Sequence, residues 1–215
     1  MQDVLAANEN AAEENAKLFR DKRVLVVNLM ASPGAGKTSF ILQTIAALRD
    51  DFRIAVIEGD LASKVDAEKI KAQGIPSIQI NTGGGCHLEA SMIRQAANHL
   101  SLDDIDLLII ENVGNLVCPA DFTLGESVRV LILSVPEGDD KPHKYPFIFK
   151  GSDILIVNKV DMLELTDFDM DRLKEVVLSL NPDVKIVPLS CRTGDGFDDW
   201  LGWIKERLTS VARSS

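Results

Sequence analysis

The sequence has few cysteines, no excess of positive charge and no long apolar run, and each shortage excludes a class of protein. Three cysteines among 215 residues cannot form a disulfide framework, so we expect reduced thiols and a cytoplasmic protein. The net charge of −10 argues against nucleic-acid or membrane-surface partners, which would repel an acidic chain. No apolar run could cross a bilayer, and residues 1–20 contain no signal-peptide core. What remains is a chain of single-domain length, 46% hydrophobic, which is enough for a core.

Short apolar runs alternate with amphipathic stretches after residue 20, which indicates an α/β fold. The predicted strands are 24–30, 54–57, 77–80, 107–110, 129–134, 154–157 and 185–187. The predicted helices are 37–48, 64–73, 88–100, 168–180 and 197–210. Because several strands are apolar throughout, we expect an open, mostly parallel sheet with helices on both faces. We divide the chain into a helical arm (1–20) and a P-loop domain (21–215), whose ligands should bind at the carboxyl edge of the sheet.

A glycine-rich turn follows the first predicted strand, where residues 31–38 read Ala-Ser-Pro-Gly-Ala-Gly-Lys-Thr. Such a turn before a helix aims backbone N–H groups and the helix dipole at bound phosphates. Lys37 would reach the β- and γ-phosphates, and the Thr38 hydroxyl would ligate Mg²⁺. Ala31 replaces the usual first glycine, a mild departure; the alternative is a chance turn followed by Lys-Thr. The predicted phosphate-binding residues are Gly34, Ala35, Gly36, Lys37, Thr38 and Ser39.

A second motif, Asn-Lys-Val-Asp at residues 158–161, ends the sixth predicted strand. The Asp161 carboxylate can accept hydrogen bonds from N1–H and the 2-amino group of guanine, which adenine cannot offer. The Lys159 stem can lie along the base, and Asn158 can tie the loop together. Ser190 and Cys191 follow the last strand and could support the guanine O6, although Cys191 also fits a half-buried apolar position. We therefore predict GTP as the nucleotide.

Acidic residues at two further strand ends indicate magnesium binding and hydrolysis. Asp60 and Glu111 would hold Mg²⁺ together with Thr38, although an acidic residue there can also cap a helix. The Glu111-x-x-Gly114 spacing matches the Asp-x-x-Gly of many GTPases, whose glycine N–H senses the γ-phosphate. No glutamine follows Gly114 to orient water, so we expect slow hydrolysis, with Asp60 positioning the attacking water. The predicted catalytic residues are Lys37, Asp60 and Gly114.

Three potential metal ligands, Cys86, His87 and Cys118, follow the third and fourth predicted strands. Two thiolates and an imidazole suit Zn²⁺, Ni²⁺ or Cu⁺. Three ligands leave a tetrahedral site incomplete, so either the fourth position is open or a second copy contributes across a two-fold axis. The residues alone also allow an incidental Cys-His pair.

The motifs at residues 32–38, 58–60, 82–90, 111–119 and 134–141 closely resemble the HypB family, GTPases that assist nickel insertion into nickel–iron hydrogenase. The resemblance implies a GTP-dependent homodimer of the SIMIBI class, with Ni²⁺ or Zn²⁺ at the dimer interface on Cys86, His87 and Cys118. The related urease accessory GTPases carry Cys-Pro-His, whereas here Cys86 and His87 are adjacent. The client would be a hydrogenase large-subunit precursor.

Residues 1–20 depart from some family members, because they lack cysteine and histidine and should not capture nickel. The family's arm also contacts the HypA metal chaperone, so its four large apolar residues either make that contact or pack on the domain. They are Val4, Leu5, Leu18 and Phe19. We expect nucleotide state and metal affinity to be coupled. Two other functions fit the residues: a regulatory switch with a structural metal, and a small-molecule kinase.

Overall fold

The computed structural model describes residues 2–59 and 64–213, in which seven parallel strands form one sheet. The strands are β1 (Leu25–Ala31), β2 (Ile54–Glu58), β3 (Ser77–Gln79), β4 (Leu107–Glu111), β5 (Val128–Ser134), β6 (Ile154–Asn158) and β7 (Lys185–Pro188). Their order is β3-β2-β4-β1-β5-β6-β7, and each neighbouring pair is parallel. All seven predicted strands are therefore confirmed, and the phosphate loop follows the central strand.

Nine α-helices connect or flank these strands within the described residues. They are α1 (Gln2–Asp21), α2 (Lys37–Leu48), α3 (Lys64–Lys71), α4 (Ala90–Ala97), α5 (Cys118–Asp121), α6 (Lys141–Lys144), α7 (Pro146–Lys150), α8 (Met170–Leu180) and α9 (Phe197–Arg213). The predicted start of α4 was two residues early, because the Leu88 N–H donates to Asn112 Oδ1 (3.4 Å) instead of entering the helix. The Asp169 carboxylate caps α8 by accepting from the N–H groups of residues 171 and 172, both at 3.0 Å.

Side chains of alternate residues on each strand enter cores on opposite faces of the sheet. In β1, Leu25 and Val27 join a core with α2 and α9, whereas Val26 joins a core with α1 and α4. A third core lies beneath α7 and α8, where Phe149 and Leu173 are buried. The strands are apolar throughout because both of their faces are covered, as predicted.

The N-terminal helix α1 packs against α4 and ends at β1. Phe19 is buried, Leu18 packs against the same core, Leu5 is half-buried and Val4 is exposed. Among the described helices, α1 included, we find none that combines the length and the apolar character needed to cross a membrane.

Candidate functional site

The phosphate loop between β1 and α2 has the backbone conformation that its glycines permit. Gly34 has φ +77° and Gly36 has φ +105°, a region that L-residues rarely adopt. A methyl group on Gly36 would also collide with the Asn158 side-chain amide. Lys37 begins α2 directly afterwards and is buried. The loop therefore brings N–H groups, a helix N-terminus and a lysine to one place, as phosphate binding requires.

Asn158, at the end of β6, joins the phosphate loop to two other loops. Its Nδ2 donates to the Ala35 carbonyl (2.9 Å), and its Oδ1 accepts from the N–H groups of Lys159 (2.8 Å) and Cys191 (3.1 Å). The Lys159 ammonium adds a bond to the Gly34 carbonyl (2.7 Å). The tying role expected for Asn158 is thus present in its hydrogen bonds.

A cavity of about 460 Å³ opens beside this junction and is large enough for a purine base. Its lining residues are Gly36, Ser39, Asn158, Lys159, Asp161, Met162, Leu165, Cys191 and Arg192. Met162 and Leu165 supply apolar contact area that the sequence analysis missed, because no motif includes them. Both follow Asp161 within one short 3₁₀ segment, and that proximity is the signal that could have identified them.

Asp161 lies at this cavity with both carboxylate oxygens occupied by neighbouring side chains. Ser190 Oγ donates to Oδ1 at 2.5 Å, and Arg192 Nη2 lies 2.9 Å from Oδ2. The Ser190 hydrogen bond and the charge of Arg192 lower the pKa of Asp161, although partial desolvation opposes them. The side chain of Asp161 is only 10% exposed, whereas that of Arg192 is 77% exposed. The carboxylate is therefore held ionised, as a hydrogen-bond acceptor for guanine must be.

The acidic end of β4 lies beside the phosphate loop. Thr38 Oγ1 donates to Glu111 Oε1 at 3.4 Å, so a hydroxyl and a carboxylate converge there. A methyl group on Gly114 would lie 3.2 Å from Lys37 Nζ and 3.1 Å from Pro33 Cγ, so this loop backbone approaches the phosphate loop closely. Asp60, predicted for magnesium binding and water positioning, lies outside the described residues.

Cys86, His87 and Cys118 are brought together, with their ligand atoms all within 4.8 Å of one another. The Cys86 thiol donates to Cys118 Sγ at 2.8 Å, which raises the pKa of Cys86, and His87 Nδ1 lies 3.6 Å from Cys86 Sγ. The His87 ring stacks on Phe122, with ring centroids 3.8 Å apart. Within the described part of the chain, buried His87 Nε2 has no hydrogen-bond partner, and Glu89 Oε1 lies 4.0 Å away. Thiolates, an imidazole and an unsatisfied buried nitrogen suit a soft or borderline metal ion.

One loop, residues 112–117 between β4 and α5, touches both halves of the site. Gly114 approaches the phosphate loop, as described above. Asn115 Nδ2 donates to the Cys86 carbonyl (3.2 Å), and Asn112 Oδ1 accepts from the Leu88 N–H. Asn115 follows Gly114 where many GTPases have glutamine, but its amide binds the segment that carries two metal-ligand candidates. The sequence analysis did not predict this contact.

A phosphate loop after the central strand of a parallel sheet, with a base-sized cavity around an ionised Asp161, defines a P-loop nucleotide-binding protein. The family model for the CobW/HypB/UreG nucleotide-binding domain matches residues 25–188. The hydrogenase maturation factor HypB of Escherichia coli K12 is 48% identical over 94% of this chain and 70% of its own length. The chain therefore belongs to the HypB family of P-loop GTPases.

Solved structures agree with this assignment. HypB from Archaeoglobus fulgidus has a TM-score of 0.90 and 40% identity, covering 94% of this chain and 99% of that one. HypB from Helicobacter pylori, crystallised in complex with nickel, has a TM-score of 0.89 and 39% identity, covering 95% and 96%. The predicted P-loop fold and family resemblance are thus confirmed.

Proposed function

We propose that this protein is a GTP-hydrolysing metallochaperone that assists nickel insertion during maturation of a nickel–iron hydrogenase. We further propose that GTP-dependent dimerisation is coupled to metal binding. The maturation role rests on family membership and on the nickel in the Helicobacter pylori HypB structure. The coupling rests on the structure of this chain.

The observation that carries the coupling is the single loop shared by the two sites. Gly114 approaches Lys37, where a γ-phosphate would bind, and the next residue holds the Cys86 carbonyl. Cys118 follows three residues later, at the start of α5. A γ-phosphate that repositions Gly114 would therefore shift groups bonded to the metal ligands. Two sites that bias one element in this way are coupled reciprocally.

On the nucleotide side, the phosphate-loop N–H groups and Lys37 would hold the phosphates while Asp161 reads guanine. Thr38 and Glu111, with Asp60, would hold Mg²⁺, and the hydroxyl and carboxylate that converge there are ligands which this ion accepts. When bound, Mg²⁺ would neutralise charge on the β- and γ-phosphate oxygens. The Gly114 N–H would sense the γ-phosphate, and Asp60 stays our prediction for the residue that orients water. Ser190 and Cys191 would support the base.

On the metal side, Cys86, His87 and Cys118 would bind Ni²⁺ as cargo or Zn²⁺ in its place, since thiolate and imidazole accept both. A second copy would complete the coordination at a homodimer interface. Partners would be a HypA-type metal chaperone, which could reach exposed Val4 and half-buried Leu5, and the hydrogenase large-subunit precursor. With three free cysteines, the protein would act in the cytoplasm.

The test is the nickel affinity of the protein with a non-hydrolysable GTP analogue and Mg²⁺, compared with GDP and Mg²⁺. Competition against a chromophoric chelator gives both dissociation constants. We expect them to differ by about 5- to 150-fold, the usual range of allosteric coupling. Equal constants would show that the nucleotide does not control the metal.

Two variants make this measurement specific. Asp161→Asn should move nucleotide preference from guanosine to xanthosine triphosphate, because the amide can donate to the xanthine 2-oxo group. In that variant the xanthosine analogue, and not the guanosine analogue, should change the nickel affinity. Cys86→Ala should bind nucleotide normally but lose most nickel affinity; unchanged nickel binding would remove the proposed metal site.

A further inference from the structure

The N-terminal helix α1 is fastened by buried side chains to the two segments that carry the metal-ligand candidates. Asn8 is 7% exposed and uses both ends of its amide. Its Nδ2 donates to the Thr123 carbonyl (2.8 Å), and its Oδ1 accepts from the Ala90 N–H (2.8 Å). One side chain thus connects the start of α4 with the loop after α5.

Asn15, two helical turns further along α1, makes a parallel connection. It is 0% exposed, and its Nδ2 donates to the carbonyls of Ala90 (2.8 Å) and Leu124 (3.0 Å). Within the described chain its buried Oδ1 has no hydrogen-bond partner. An unsatisfied buried acceptor costs on the order of 1–3 kcal/mol, which an apolar side chain at this position would avoid. Packing alone therefore does not account for an asparagine here.

The anchored backbone groups are adjacent in sequence to the side chains around His87. Ala90 follows Glu89, whose carboxylate lies 4.0 Å from His87 Nε2. Thr123 follows Phe122, whose ring stacks on His87. The same two segments carry Cys86 and Cys118. Asn8 and Asn15 therefore fix the separation of the two segments on which the relative position of all three ligands depends.

We propose that α1 is a positioning element of the metal site, and that Asn8 and Asn15 are the positioning residues that set its ligand geometry. The inference rests on the proposed metal role of Cys86, His87 and Cys118. It assigns α1 a second role besides covering the core with Phe19. A partner that moved α1 would thereby change metal affinity without touching a ligand.

The test compares Asn8→Ala and Asn15→Ala with Asn10→Ala, which changes an exposed asparagine of the same helix. We would measure nickel affinity by chelator competition and the thiolate-to-nickel charge-transfer absorption of the full-length protein. The buried variants should bind nickel about 10-fold more weakly or worse, as when the outer partners of metal ligands are removed, and their absorption should shift. Asn10→Ala should match the original protein. GDP affinity should change less than two-fold or so in all three variants, since none of these asparagines lines the base cavity.

Asn8→Asp provides a milder change if either alanine variant fails to fold. It keeps the acceptor for Ala90 and loses the donor to Thr123, so its nickel affinity should lie between those of Asn8→Ala and the original. A purely structural role would lower the unfolding midpoint and leave the nickel constant and the absorption unchanged, which would overturn the inference. Cys86→Ala separates the two levels. If it loses nickel while the asparagine variants keep it, only the positioning role of α1 fails; if it also keeps nickel, the proposed function fails.

Discussion

Two of the three thiols, Cys86 and Cys191, have side-chain surroundings that predict opposite reactivity. Burial raises the pKa of Cys191 from 9.0 to about 12, despite the opposing Asn158 hydrogen bond. Only about one Cys191 thiol in ten thousand would then be ionised at pH 8, and the thiolate is the reactive form. Cys86 is exposed. We expect iodoacetamide at pH 8 to alkylate Cys86 in the folded protein while sparing Cys191, as read by peptide mass spectrometry over time.

The control for this reactivity difference is the unfolded chain, in which all three cysteines should react at similar rates. As the pH rises towards 12, Cys191 should begin to react wherever the fold persists, because a raised pKa delays ionisation to higher pH. Alkylation of Cys191 as fast as Cys86 in folded protein at pH 8 would contradict this assignment. It would also show that the base cavity admits solvent to the thiol.

Individual residues differ in how far the sequence could predict them. Lys37 and Thr38 belong to a contiguous motif whose geometry is largely local, so their placement could be predicted. Arg192 on Asp161 and Phe122 on His87 depend on side-chain conformations and on segments that meet only in the folded chain. No spacing rule encodes such contacts, and each needs the assembled sheet edge to become visible.

The contact between α1 and the loop after α5 depends on a glycine. Gly125 has φ +91°, and a methyl group there would lie 2.5 Å from Asn15 Cβ and 2.6 Å from the Ala12 carbonyl. Gly125→Ala should therefore destabilise the protein by about 2–4 kcal/mol, from backbone strain plus overpacking. Denaturant unfolding followed by circular dichroism would measure the change in the free energy of unfolding.

Gly202→Ala is the matched control for the glycine substitution. Gly202 is exposed inside α9, and nothing lies within 4 Å of an added methyl group. The same substitution should there stabilise the protein by about 0.5–1 kcal/mol, because alanine loses less backbone entropy than glycine in a helix. If both variants changed stability equally, the close approach of α1 to Gly125 would not exist in solution.

At the level of elements, apolar strand runs and long amphipathic helices were predictable because burial imposes their periods. The short helices α5, α6 and α7, of four or five residues, span little more than one turn and show no period to detect. Helix starts were misplaced where a side chain from elsewhere takes the terminal N–H, as Asn112 does for Leu88. Boundaries of this kind depend on tertiary contacts and not on local propensity.

For the whole molecule, net charge and an incomplete ligand set act in opposite directions on self-association. Each chain carries −10, so two copies repel one another through solvent. Each chain also offers three ligand atoms within 4.8 Å, one fewer than a tetrahedral metal site requires. Association should therefore need both a nucleotide-ordered surface and screening of the repulsion.

We expect a non-hydrolysable GTP analogue with Mg²⁺ to raise the molar mass from 23.5 kDa to twice that value, measured by light scattering after size exclusion. Moving from low to physiological salt should increase the dimer fraction, because screening acts over about 8–10 Å and weakens repulsion between like-charged faces. Asp161→Asn should dimerise with the xanthosine analogue and stay monomeric with the guanosine one. Cys118→Ala should still dimerise with nucleotide but gain no further association from nickel. A mass that is the same with GDP and the GTP analogue would exclude dimerisation as the link between nucleotide and metal, and would leave the loop at Gly114 to act within one chain.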